Sequence, residues 1–161
     1  MGMICSIYAV SDDDRLRFDG NSDELLDFME EAEDTIDLDM AWHAIHFLLT
    51  GSVWEGEPPL NFVVTGGSPI AGSDTGYGEV RFFGSGEVKA VSEALDGIFL
   101  EVLLHRYDAK RFSSAEIYPS IWDRISEEEE NKEYIGENYE QLRSYIGSLA
   151  KRGSAMMVSI Q

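Results

Sequence analysis

The sequence predicts an α+β fold. Apolar, β-prone runs stand near both ends of the chain, several helical stripes lie between them, and regular strand–helix–strand alternation is absent. A length of 161 residues suits a single domain, residues 1–161, because a chain of that size buries roughly two-thirds of its unfolded surface. An apolar fraction of 43%, with 3 Trp, 7 Tyr and 8 Phe, supplies a core and sets the chain apart from disordered sequences despite its charge.

Met3 to Val10 is apolar and free of Gly and Pro, which reads as a buried strand. Ser11 closes it, and Asp12, Asp13 and Asp14 suit the positive N-terminal end of a helix. After the break at Gly20 and Asn21, Ser22 is placed to cap a second helix, whose Leu25, Leu26, Phe28 and Met29 sit among acids and leave one wet face. Asp37 to Thr50 is the clearest helix, with Gly51 where a helix C-terminus favours a left-handed residue. Leu38, Trp42, Ile45 and Leu49 form one stripe on it, and Ile36, Met40, His43 and Phe47 form another. A helix apolar on most sides is expected to be central and buried.

Residues 51 to 79 carry seven of the fifteen glycines and three of the four prolines, a long shaped loop interrupted by the apolar run Leu60 to Val64. Val80 to Phe83 reads as a short strand. Ser85 then caps a helix carrying Val88, Val91 and Leu95, and a further helical stretch covers Ile98 to Tyr107. Ile135, Tyr139, Leu142, Ile146 and Leu149 recur at helical steps until Gly153, and Ser154 to Ile160 is a last strand expected to pair with the first. The expected architecture is therefore several helices around a central buried helix, with a small sheet that includes the N- and C-terminal strands.

Charge narrows the function classes. Thirty-one acids against 12 bases give a formal net charge of −19, and from Phe18 to Val80 there is no Lys or Arg. Phosphate backbones and anionic lipid heads are bound through Lys and Arg, so direct nucleic-acid or membrane binding is not expected. A basic protein is the partner that such a surface fits, with Asp27, Glu30, Glu31 and Asp34 as its candidate contacts. The single cysteine, Cys5, cannot form an internal disulfide and lies in a predicted core strand. With neither a signal-peptide pattern nor about 18 consecutive apolar residues, the expected compartment is the cytoplasm.

Asp39, His43, His46 and Thr50 fall at steps of 4, 3 and 4, one polar line along an otherwise apolar helix. Buried polar groups must be satisfied. The line is therefore either a ligand site, with His46 as donor or base and Asp39 orienting His43, or a pair of structural histidines bonded to carbonyls of the glycine-rich loop; the second reading is the more common outcome for so short a pattern. Two ring nitrogens and one carboxylate are too few to assign zinc, and neither a metal nor a cofactor is implied. Trp42, Gly67, Asp74, Tyr77, Arg81 and Tyr118 complete the candidate ligand set, and Arg81 is expected to bind an anion or to pair with Asp39 or Asp74. Asp74-Thr75-Gly76 spells the aspartic-protease triplet without its flanking apolar strands. Tyr118 and Trp122 form an aromatic turn, Trp122 being expected in the core.

The run Leu38-Asp39-Met40-Ala41-Trp42-His43-Ala44-Ile45-His46-Phe47-Leu48-Leu49-Thr50-Gly51 resembles the central helix of the YfbM-like family of bacterial proteins. Gly56-Glu57-Pro58-Pro59-Leu60, Gly66-Gly67, Gly76-Tyr77-Gly78, Tyr107-Asp108, Ile117-Tyr118-Pro119 with Trp122, and Gly153 before the last strand follow in the family's order. Thr75 stands where Leu is common, and Phe112 where Met is. The resemblance implies a compact α+β domain and brings no activity or cofactor with it. Two functions follow as expectations: a non-enzymatic acidic module that recognises a protein, as an immunity protein does, or a small-molecule site, enzymatic or not, lined by the histidines and the glycine-rich loop.

Overall fold

In a computed structural model, which describes residues 2–161, five antiparallel strands form one sheet in the order β2-β1-β5-β4-β3. The strands are β1 (Cys5–Val10), β2 (Thr35–Asp37), β3 (Ser68–Pro69), β4 (Arg81–Phe83) and β5 (Ala155–Ile160). The expected pairing of the first and last strands is present, running from Cys5 opposite Ile160 to Val10 opposite Ala155. Alternation along each strand sorts the core into two layers. Cys5, Ile7, Phe83, Met156 and Val158 join the larger cluster, whereas Tyr8, Val10, Phe82, Ala155 and Met157 join the smaller one.

The smaller layer is roofed by α1 (Asp14–Phe18) and α2 (Ser22–Glu31), which bury Phe18, Leu25 and Met29. The larger lies under α3 (Trp42–Thr50), α4 (Ser85–Asp96), α5 (Leu100–His105), α6 (Ala109–Ser114) and α7 (Glu128–Arg152). Every side chain from Trp42 to Leu49 is buried, so α3 is the central helix that its all-round apolarity predicts. Gly51 ends it at φ 76°, and Gly153 ends α7 at φ 68°.

Several boundaries differ from the sequence reading. The helix expected from Asp37 begins only at Trp42. Thr35–Asp37 instead pairs with β1, Ser6 lying opposite Asp37, and Asp39–Ala41 forms a 3-10 turn with Asp39 at φ 47°. That left-handed residue stops a helix from starting earlier, and aspartate is among the few residues that tolerate the conformation. Tyr134 secures the turn: its hydroxyl donates to Asp39 Oδ2 at 2.8 Å and accepts from the Met40 N–H at 3.0 Å. Ser22 and Ser85 are first helical residues rather than caps, the N-cap positions being Asn21 and Gly84. The stretch from Ile98 to Tyr107 is helical only over Leu100–His105, and Leu60–Val63 forms a 3-10 turn.

Candidate functional site

The two histidines of the polar line do not open to solvent. His43 and His46 are both 0% exposed. The Tyr118 N–H donates to His43 Nδ1 at 2.9 Å, so the ring carries its proton on Nε2, which donates to the Val53 carbonyl, also at 2.9 Å. Burial lowers its pKa, and both ring nitrogens are spent on backbone. His43 is thus a neutral strut between α3 and two loops. Asp39 does not orient it, because the Asp39 carboxylate is held by Tyr134.

His46 is satisfied less well. Its Nε2 lies 3.4 Å from Thr50 Oγ1, and its Nδ1 has no hydrogen-bond partner among the described residues. Burial brings its pKa down to about 4, against the backbone of Glu55, which favours the charged ring. Thr50 itself donates to the His46 carbonyl at 2.9 Å and accepts from the Ser52 N–H at 3.1 Å, closing the end of the helix. Trp42 is buried and donates through Nε1 to the Met3 carbonyl. Tyr118 accepts from the Met3 N–H at 2.7 Å and stacks on Trp42, and Trp122 lies in the core as expected.

Arg81 pairs with neither Asp39 nor Asp74. Its guanidinium donates to the carbonyls of Phe62, Val63 and Thr65 at 2.8, 2.7 and 2.5 Å, and burial lowers its pKa to about 10. The rigid fork of donors suits this task, since three converging carbonyls satisfy it as a carboxylate would. Asp74 turns onto its own loop, accepting from the N–H groups of Gly76 and Gly78. Gly67, Tyr77 and Arg81 do meet, in an open concavity of about 460 Å³ that also includes Glu79 and Ile160. Gly67 is required there: at φ 71° a Cβ would lie 2.8 Å from the Phe82 carbonyl oxygen and from the Phe83 ring. The histidines are not part of this concavity, so the structure divides the expected ligand set between a closed core and an open surface.

The acidic candidates are gathered better. Asp27, Glu31 and Asp34 line a surface concavity of about 590 Å³ between α2 and Ala9 near the end of β1, together with Glu24, Glu33 and Phe28. Glu30 is exposed on the same helix but outside the concavity. Asp34 is anchored, accepting from Arg152 at 2.9 Å and from the Tyr145 hydroxyl at 3.0 Å. The one base in the lining, Arg17, is already engaged by Glu24 at 2.6 Å and Asp14 at 3.6 Å, and its guanidinium lies over the Phe28 ring. Glu24 and Glu33 escaped the sequence reading because a helix face and the loop after it become one surface only when the sheet edge is in place. Among the described residues, no three His, Cys, Asp or Glu side chains cluster as a metal site requires, and no helix is long and apolar enough to cross a membrane.

No curated protein matches the sequence. Among solved structures, a protein of unknown function from Escherichia coli, YfbM, superposes with a TM-score of 0.78 at 21% identity over 98% of this chain and 99% of that one, a likeness of fold. A family described as a domain of unknown function (DUF1877) matches residues 1–159. The chain belongs to that YfbM-like family, as its central helix and the ordered glycine and proline motifs lead one to expect.

Proposed function

We propose that this protein is a non-enzymatic recognition module that takes a basic segment of a partner protein into the acidic concavity of α2. The observation that carries the reading is electrostatic. Glu30 and Glu31 occupy the last turn of α2, which holds no base, and carboxylates there oppose the negative end of the helix dipole. Asp27, Glu31 and Glu33 add like charge on the same surface, without a base of their own within 4.0 Å among the described residues. An arriving Lys or Arg side chain relieves that repulsion, and Phe28 gives its apolar stem a surface to lie on. The buried, unpaired Cys5, whose thiol burial pushes up to about 12, is compatible with a reducing cytoplasm.

The test is affinity capture with the native protein and with a charge-reversed Asp27→Lys/Glu31→Lys variant, at low and high salt, followed by direct titration of the captured partner. A basic partner lost on charge reversal and weakened by salt supports the reading; binding indifferent to both refutes it. The concavity of Gly67, Tyr77 and Arg81 favours a second reading, a small-molecule site, because it brings an exposed Tyr beside a cationic group.

A further inference from the structure

We propose that the groove between α4 and α7, on the other side of the Asp34–Arg152 ion pair from the acidic concavity, binds a phosphate monoester. The groove has a volume of about 830 Å³, within the range of small-molecule sites. Lys89, Arg143, Lys151 and Arg152 line it, four of the twelve bases of a chain with 31 acids. Arg152 is committed to Asp34, and Arg143 to the Leu95 carbonyl and Glu140. Lys89 and Lys151 have no carboxylate within 4.0 Å among the described residues, although Glu93 and Asp96 line the same groove.

Hydroxyls accompany the two ammonium groups. Lys89 and Ser92 stand at i, i+3 on α4, and Ser148 and Lys151 stand at i, i+3 on α7, so each helix presents a lysine with a serine on one face. Ser92 lines the groove at 8% exposure.

Gly147 is a separate sign. It lies inside α7, where glycine weakens a helix relative to alanine, and a Cβ built on it meets nothing within 4 Å. Packing does not require it, in contrast to Gly136, whose Cβ would lie 3.3 Å from Leu100 Cδ1. At Gly147 the missing side chain leaves the groove floor open.

A phosphate dianion matches this set, because several acceptor oxygens can engage two ammonium groups and two hydroxyls at once. Seven residues beyond Lys89 on α4, about 10 Å along the helix, Asp96 offers an acceptor for hydroxyl or amino groups on the ligand's organic part. The net charge of the chain opposes a distant anion, but that field is screened beyond about 8 Å at physiological ionic strength, which leaves the groove lysines to decide binding. The shared chemistry is a phosphate monoester, carried by a free small molecule or by a phosphorylated side chain of a protein.

The experiment follows the Gly147 and Ser148 amides, Ser148 serving as the reporter in the Gly147 variant, in ¹H–¹⁵N NMR spectra while inorganic phosphate, O-phosphoethanolamine or a short phosphoserine peptide is added at constant pH and ionic strength. The expected result is a saturable shift at Gly147 with each probe. Affinity falls at least tenfold in Lys89→Ala/Lys151→Ala, and binding is lost in Gly147→Leu, which keeps every charge and fills the floor; resonances of the distant β1–β5 core report that both variants are folded. Tighter binding of phosphoethanolamine than of the peptide assigns a free ligand, and the reverse assigns a protein one. A flat titration, shifts unchanged in the double-lysine variant, or a peptide that binds as well without its phosphate overturns the proposal.

Discussion

Asp12 caps a helix that begins 73 residues later in the chain: its Oδ1 accepts the Ser85 N–H at 2.8 Å and its Oδ2 accepts the Ser85 hydroxyl at 2.6 Å. Glu87 completes the end of α4 by accepting from the Gly84 N–H at 3.1 Å. The loop after β1 is thereby tied to the helix that forms one wall of the lysine groove.

Asp12→Ala is expected to lower stability by about 1 kcal/mol, the usual cost of losing an N-cap acceptor. The Ser85 hydrogen bonds hold the Asp12 pKa below its ordinary value. That contribution is complete above the unfolded pKa of about 4 and is lost as pH falls through the lower folded value. Urea titrations at neutral pH and at pH below 4 check this, the gap between wild type and Asp12→Ala narrowing in acid.

His46 titrates in the opposite chemical sense with the same stability sign. Its folded pKa of about 4 lies below the unfolded value, so the unfolded chain gains the proton first. Stability is full above the unfolded pKa of roughly 6.5 and declines as pH falls toward 4, by about 3 kcal/mol at most. In His46→Leu the lone buried nitrogen is gone, and the acid slope of unfolding free energy between these pH values is expected to flatten without a large loss at pH 7.

Arg81→Lys keeps a charge and discards the fork. One ammonium cannot reach the carbonyls of Phe62, Val63 and Thr65 together, and the variant is expected to lose about 2–3 kcal/mol. Hydrogen exchange and limited proteolysis should localise the loosening to residues 60 to 67, with the β1–β5 pair protected as before.

Tyr134→Phe removes one hydroxyl that serves both Asp39 and Met40, at an expected cost of about 1–2 kcal/mol. Because Asp39 stands at φ 47°, Asp39→Gly is expected to be tolerated better than Asp39→Val, in which the β-branched residue meets the same left-handed backbone. Thermal melts of the three variants order them.

What the sequence made legible is what repeats locally. α3 could be read because Trp42 to Leu49 is apolar all round, and α7 because Ile135 to Leu149 returns at helical steps. β2 was hidden: Thr35–Asp37 is a strand only because Ser6–Tyr8 lies beside it. The partners of Arg81 were equally hidden, since backbone carbonyls carry no residue signature and only the fold brings 62, 63 and 65 to one guanidinium. The histidine line closes as a site because Val53 and the Tyr118 backbone take both ring nitrogens of His43 and His46 is fully buried, while Asp39 lies in the turn before the helix. The lysine groove needs two helices that are distant in sequence and aligned only in space.

The sheet order also dictates when the molecule can assemble. β5 is the last of the five strands along the chain, yet it sits between β1 and β4. Until residue 160 has left the ribosome the two halves of the sheet share no neighbour, and joining β1 to β5 closes a loop spanning nearly the whole chain. Such long-range pairing slows folding, so the early product is expected to be a set of helices waiting for one late strand to stitch them together.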